Sequence, residues 1–383
     1  MFLRYLWLLV LPTLLVSCGS DPAPPPIRVR HGALPVTVRA PADNPTTPEK
    51  IALGRLLFFD PILSGSRDVA CATCHHPSAG WAEFRDLSIG VNGHGLGSKR
   101  EFRQPNTIPL VKRNAPTILN AAFNGMSPSG HYDPARSPMF WDNRARSLEA
   151  QALEPIRAFE EMRGEGVGED DVLPEIVSRL AANEEYRALF AAAFPEEGLT
   201  AGNLARAIAA FERSLVTPNT RFDQYMRGDR AALSQAELEG FELFKKMDCS
   251  KCHNGPMFSD YKLHVLGVPD NAALPASDPG IVGDYAFRTP TLRNLRFTAP
   301  YMHNGTFPTL LKVLEFYEDL AMDKQRNPHV APEAVDELAR GSRLRVRDMR
   351  PIISFLNALN DEEFDRTVPA AVPSGLSVGG AIR

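Results

Sequence analysis

The chain has 383 residues, about two domains by length and enough to bury a core. Its 23% charged and 44% hydrophobic residues are ordinary for a folded soluble protein. A net charge of −4 argues against nucleic acid as a partner, and 33 prolines predict long loops.

Residues 1–18, MFLRYLWLLVLPTLLVSC, carry an early Arg4 and then a short apolar run. That is the pattern of a signal peptide, too short for a stable membrane span. Leu15-Val16-Ser17-Cys18 resembles a bacterial lipobox, in which Cys18 would receive lipid; the alternative is an ordinary cleaved signal with an incidental cysteine. Lipid would tether the protein to a membrane of the cell envelope while its body stays soluble. Gly19 leaves the choice of inner or outer membrane open. Residues 19–47 are Pro-rich and poor in core residues, so they read as a spacer and the fold is expected to begin near Pro48.

Next comes CATCHH, from Cys71 to His76, and a second copy, CSKCH, runs from Cys249 to His253 in the other half. Between them the chain reads as helical. Leu204, Ile208, Phe211 and Leu215 share one helix face. Residues 163–171, RGEGVGEDD, read as a loop. A boundary is expected near Thr217-Pro218. Ser234 with Glu237 forms a capping-box pattern for a helix ending beside Cys249. A further helix starts near Thr309, with Leu310, Val313, Leu314 and Tyr317 on one side. Nothing alternates like a long strand, and the residues from Thr367 read as frayed.

Five cysteines decide what the two copies do. Cys18 belongs to the lipobox and the other four all lie in the copies. An exported location would oxidise bare pairs, and a thioredoxin-like pair needs neither the adjacent His nor a second copy. Zinc on Cys71, Cys74, Cys249 and Cys252 would leave both histidines unexplained. Covalent c-type haem accounts for all of them: two thioethers anchor the porphyrin, and His75 or His253 is the iron's fifth ligand. The fold class expected is all-α, with two cytochrome c-like domains, each around one haem: 48–216 and 217–360, followed by a disordered tail at 361–383.

KRNAPTILNAAFN (112–124), FWDNRARSLEAQALEPI (140–156) and FRTPTLRNLRFTAPYMHNG (287–305), with both haem motifs, resemble the bacterial di-haem cytochrome c peroxidase family, which includes the MauG-type enzymes. The resemblance covers roughly 48–360. It implies a peroxidatic first haem and an electron-transferring second haem. In many members a distal His follows a Ser-Ile-Gly; here Ser88-Ile89-Gly90 is followed by Val91, which cannot ligate iron. His94, three residues on, is either a ligand that swings in or a solvated loop residue. The first haem is therefore expected to be open, as in the MauG-like branch. The family's acid–base group is a Glu in a Glu-Met pair, which matches Glu161-Met162; Glu160 is its acidic neighbour, and Gln151 would orient water or peroxide. Trp141 matches a Trp that relays electrons between the haems. Asn143 stands where the family usually has Gly, and residues 125–138 look like an insertion that shapes the route to the first haem or a docking surface.

At the second haem, the family's axial Met position is Tyr317, as in MauG; Met322 or Met302 would be the ligand if Tyr317 only packs. A phenolate would stabilise higher iron oxidation states and lower the potential. The resemblance also implies Ca²⁺ between the domains, held by Asn114, Thr298 and Pro300. His76, His131 and His264 read as surface residues, and His303 carries no assigned role. The function expected is hydrogen peroxide reduction by an EC 1.11.1-type oxidoreductase. Its electrons would come from a small cytochrome c, a cupredoxin or a substrate protein. The alternatives are a peroxidase of the reductively activated kind, a non-enzymatic di-haem carrier and a haem-based sensor. Members of the family often form homodimers, but this sequence marks no dimer face.

Overall fold

The structure is a computed structural model describing residues 30–324 and 326–383. The signal peptide and Cys18 lie outside the described residues. The first helix, α1 (Pro48–Phe59), opens where Thr47 Oγ1 accepts the Lys50 N–H and Pro48 sits in the first turn. Short helices follow at α2 (Cys71–Cys74), α3 (Leu148–Gln151) and α4 (Glu154–Arg157). Longer ones are α5 (Val172–Ala182), α6 (Glu184–Ala193) and α7 (Ala201–Ser214), the last carrying the expected face of Leu204, Ile208 and Phe211. α1 lies against α7 so closely that a Cβ on Gly54 would overlap the Ala207 carbonyl. Leu53, Leu57, Phe58 and Phe211 fill the resulting core.

The second half repeats this device. α8 (Arg221–Met226) leads to α9 (Gln235–Lys246), which opens on the expected Ser234–Glu237 capping box. α10 (Leu310–Ala321) is capped by Thr309, and α11 (Glu337–Arg340) precedes α12 (Val346–Asn357). α9 crosses α12 at Gly240, where a Cβ would overlap the Pro351 carbonyl. Phe222, Phe241, Phe244, Phe258 and Phe355 form an aromatic core there. The strands are two short antiparallel pairs: β1 (Gly93–His94) with β2 (Glu101–Phe102), and β3 (Leu263–Val265) with β4 (Ala286–Arg288). The result is helix-rich with few strands, the class expected.

Both terminal segments differ from expectation. Within the expected spacer, residues 30–47 are packed: Leu34 is buried, the Gly255 N–H donates to Arg30 O (2.7 Å), and Asn44 Nδ2 donates to Glu149 Oε1 (2.8 Å). The C-terminal tail is ordered too. Phe364 and Val372 enter the first half's core, and the Gly379 N–H donates to Phe59 O (2.7 Å). Isolated apolar residues and main-chain hydrogen bonds do this work, and neither leaves a periodic pattern. The 125–138 segment packs against the N-terminal segment and the second half. Its buried Tyr132 takes the Arg39 N–H on its hydroxyl (2.8 Å), and Pro128 lies near Gly255 of the second half.

Candidate haem sites

At the first motif, α2 is pinned from behind: Thr73 is fully buried and its hydroxyl donates to Gly379 O (2.8 Å). His75 Nδ1 lies 3.3 Å from the Trp81 carbonyl. A proton on Nδ1 donated there leaves the Nε2 lone pair for a metal. Trp81 is itself fixed edge-on by Phe58, Phe59 and Phe211. Burial, then Glu212, pushes the Cys71 thiol up to about 12; burial, then Glu83, raises that of Cys74. Neutral thiols are inert until attached.

Glu161 sits in a wide turn, Phe159–Arg163, whose Arg163 and Gly164 N–H groups reach back five residues, to Ala158 O and Phe159 O (both 3.0 Å). Such turns recur at functional sites. The turn rests on the Ser88–Val91 loop: the Val91 N–H donates to Glu161 O (3.1 Å), and a side chain at Gly90 would overlap the carbonyls of Glu160 and Glu161. Burial, then Glu160, lifts the Glu161 carboxyl to about 7, and its charge reaches both Cys71 and Cys74. Val91 is buried beside it, whereas His94 is exposed on β1. Gln151 ends α3 half-buried, and its amide makes no hydrogen bond among the described residues.

At the second motif, His253 Nδ1 bonds the Phe258 carbonyl at 2.9 Å, repeating the arrangement at His75. Cys249, Cys252, His253, Tyr317, Met302 and Trp141 line one large, mainly apolar cavity. Burial, then Cys252 and Cys249, raises the Tyr317 hydroxyl. Met322 is 50% exposed and away from this wall, whereas Met302 lines it with Tyr317. Asn114, Thr298 and Pro300 line the same cavity. Asn114 Nδ2 donates to Arg85 O (2.8 Å), which leaves its Oδ1 as the free acceptor a cation would need. Trp141 ties the halves: its Nε1–H donates to Asn114 O (2.9 Å) and its carbonyl accepts the Arg288 N–H (2.6 Å).

The residues present fit covalent haem. The four cysteines are free, and both histidines are oriented by carbonyls. Arg288 Nε is buried and unpaired on the wall of the second cavity, a donor suited to an anionic substituent. The cysteines do not converge on zinc. Among the described residues, the one His/Cys/carboxylate grouping of metal-binding size is Cys252, Asp260 and His264.

His264, expected at the surface, is part-buried between Asp260 (3.0 Å) and Asp336 (2.6 Å). Burial would lower its pKa, but Asp260, Cys252 and Asp336 together hold it up at about 11. His303 is buried and stacked on Phe287 at 3.6 Å. Burial lowers it to about 4. His31, from the packed N-terminal segment, places Nε2 3.1 Å from His253 O amid Phe241, Phe244 and Phe258. Only the Asp260–His264 contact is local, four residues apart; the others pair residues distant in sequence and leave no local signal.

Two oriented Cys-x-x-Cys-His sites in a helix-rich chain fit the two-site class of c-type haem proteins. The chain belongs to the di-haem cytochrome c peroxidase family. Residues 48–231 match the family of that description. The chain is 35% identical to the methylamine utilization protein MauG of Methylorubrum extorquens, over 88% of this chain and 85% of that one. It is 32% identical to the cytochrome c551 peroxidase of Nitrosomonas europaea, over 87% and 86%. The solved structure of a MauG-like protein associated with microbial copper homeostasis matches with TM-score 0.67 and 31% identity, over 85% and 93%. Membership makes this an oxidoreductase of the peroxidase type and implies two c-type haems.

Proposed function

We propose that the chain is a MauG-like peroxidase, with an open first haem in residues 48–216 and a Tyr317-ligated second haem in residues 217–360. The observation that carries this is Val91, buried against the Glu161 turn where a distal His would stand. The haems supply the redox chemistry: hydrogen peroxide takes two electrons and two protons and leaves as two waters. Glu161, with a pKa near 7, is suited to take a proton from one peroxide oxygen and return it to the other. Gln151 would orient the peroxide, and Trp141 would carry electrons from the second site to the first. His75 and His253 would hold the two irons through Nε2. Ca²⁺ at Asn114, Thr298 and Pro300 would fasten the halves near Trp141. An external donor, either a small cytochrome c or cupredoxin or the side chains of a partner protein, would restore the electrons. Cys18 would carry lipid and hold the enzyme in the bacterial envelope.

The test is absorption and EPR spectroscopy of the ferric protein before and after one equivalent of peroxide. A high-spin signal and a long-lived oxidised spectrum are expected. Two low-spin haems that react only after one is reduced would establish a reductively activated peroxidase instead. Inertness even after reduction would leave an electron carrier. A second reading of the second haem, with Met302 as its ligand, is favoured by the position of Met302 on the same cavity wall.

A further inference from the structure

Arg100 is 1% exposed, yet it makes no ion pair among the described residues. Its donors go to four main-chain carbonyls. Nε donates to Ile89 O (2.6 Å) and Nη2 to Gly90 O (2.7 Å). Nη1 donates to Gly95 O (3.0 Å) and to Ala381 O in the C-terminal tail (3.1 Å). A buried guanidinium is tolerated only when its donors are satisfied, and its planar fork fixes the positions of its acceptors. Three of those acceptors bracket one short segment. Between Gly90 and Gly95 lie Val91, buried with its N–H on Glu161 O (3.1 Å), and His94, exposed in β1.

The bracket separates two side chains with opposite consequences for an iron. Val91 cannot bind one and His94 can. They are three residues apart, at most about 10 Å along an extended chain. The β1–β2 ladder is only two residue pairs long, Gly93 with Phe102 and His94 with Glu101, so it holds His94 weakly by itself. Gly93 leaves room for the clamp, since a Cβ there would come within 2.8 Å of Arg100 Nη2.

We propose that Arg100 is a positioning residue that keeps the first haem open: it fixes residues 89–95 so that Val91 faces the Glu161 turn and His94 stays outside, and without it His94 binds the first iron. This rests on the open first haem argued above. The tail takes part through Ala381 O, which ties the last residues of the chain to the peroxide side of the first site.

The test compares EPR and absorption spectra of the haem-loaded ferric full-length wild type, Arg100→Gln, His94→Ala and the double variant. Wild type and His94→Ala are expected to show a high-spin first haem. Arg100→Gln is expected to lose most of that signal to a low-spin, His-ligated species, and the double variant to regain it. A high-spin spectrum in Arg100→Gln equal to wild type overturns the inference while the open-haem reading stands. A low-spin signal that persists in the double variant also overturns it. A low-spin first haem already present in wild type overturns the open-haem reading and this inference together. If Arg100→Gln does not fold, Arg100→Lys keeps the charge without the fork; a partial, His94-dependent low-spin signal supports the clamp and its absence sinks it.

Discussion

Glu161 is an acid–base candidate whose ionisation is set by its surroundings. Its ordinary pKa of 4.5 rises to about 7 through burial and then Glu160. The sign follows directly. The raised value means the folded protein favours the protonated acid, a stabilisation fully present below pH 4.5 and lost as pH rises through about 7. Proton abstraction needs the ionised form, so peroxide turnover should rise with pH along a limb centred near 7. Glu161→Gln should remove that limb and slow turnover by about 10²–10⁴ without altering the ferric spectra; an unchanged pH–rate profile would move the role to Glu160 or another group. Tyr317 poses a separate question at the second site. Tyr317→Phe should raise the second haem's potential and change its low-spin spectrum, because an anionic oxygen donor is lost. If neither changes in a redox titration, Tyr317 is not the ligand and Met302 becomes the next residue to test. At this scale the two Cys-x-x-Cys-His motifs were legible, because their spacing alone suits two thiols and an imidazole to one porphyrin. The carbonyls that orient His75 and His253 were not, because any residue supplies one. Asn143 shows how a departure can be silent: its φ of 57° is left-handed, a conformation Asn tolerates in place of Gly, and its Nδ2 donates to Tyr261 O at 2.8 Å.

The helices around each site are held by the same device, a glycine at a close crossing. Gly54→Ala and Gly240→Ala would each drive a methyl group into a main-chain carbonyl, Ala207 O or Pro351 O. Overpacking of this kind costs about 1–3 kcal/mol. At about 2–4 °C per kcal/mol for a domain of this size, each variant should melt several degrees lower. Calorimetry with the two haems followed separately by absorption checks this. Gly54→Ala should disturb the first haem before the second, Gly240→Ala the reverse, and a uniform shift would show that the halves melt as one. The helices were readable wherever an apolar face coincided with a cap, as at Ser234 and Thr309. The turn that carries Glu161 was not, because its geometry comes from packing on Gly65 and Gly90, where side chains would strike main-chain carbonyls of that turn.

Across the whole molecule, the ends of the described chain act as straps. Residues 30–44 run from the second site, where His31 meets His253 O (3.1 Å), past Tyr132 to Glu149 of the first half. A lipid on Cys18 would be attached ahead of this strap in the sequence. Cys18→Ser should therefore move the protein from the membrane fraction to the soluble one with unchanged haem spectra, and continued membrane association would show that lipid is not the anchor. The C-terminal strap acts on one site only. Ser374 Oγ donates to Asp60 Oδ1 (2.6 Å), the Ala381 N–H to Asp68 O (2.8 Å) and Thr73 Oγ1 to Gly379 O (2.8 Å). These bonds fasten the segment before α2 and α2 itself. Deleting residues 373–383 strips them from partly buried groups, each worth about 0.5–1.5 kcal/mol. The first haem should then melt earlier and lose its wild-type EPR spectrum, while the second haem, which receives no bond from those residues, keeps its spectrum and potential. Equal damage to both haems would mean that the tail stabilises the chain as a whole and does not govern the peroxide side alone.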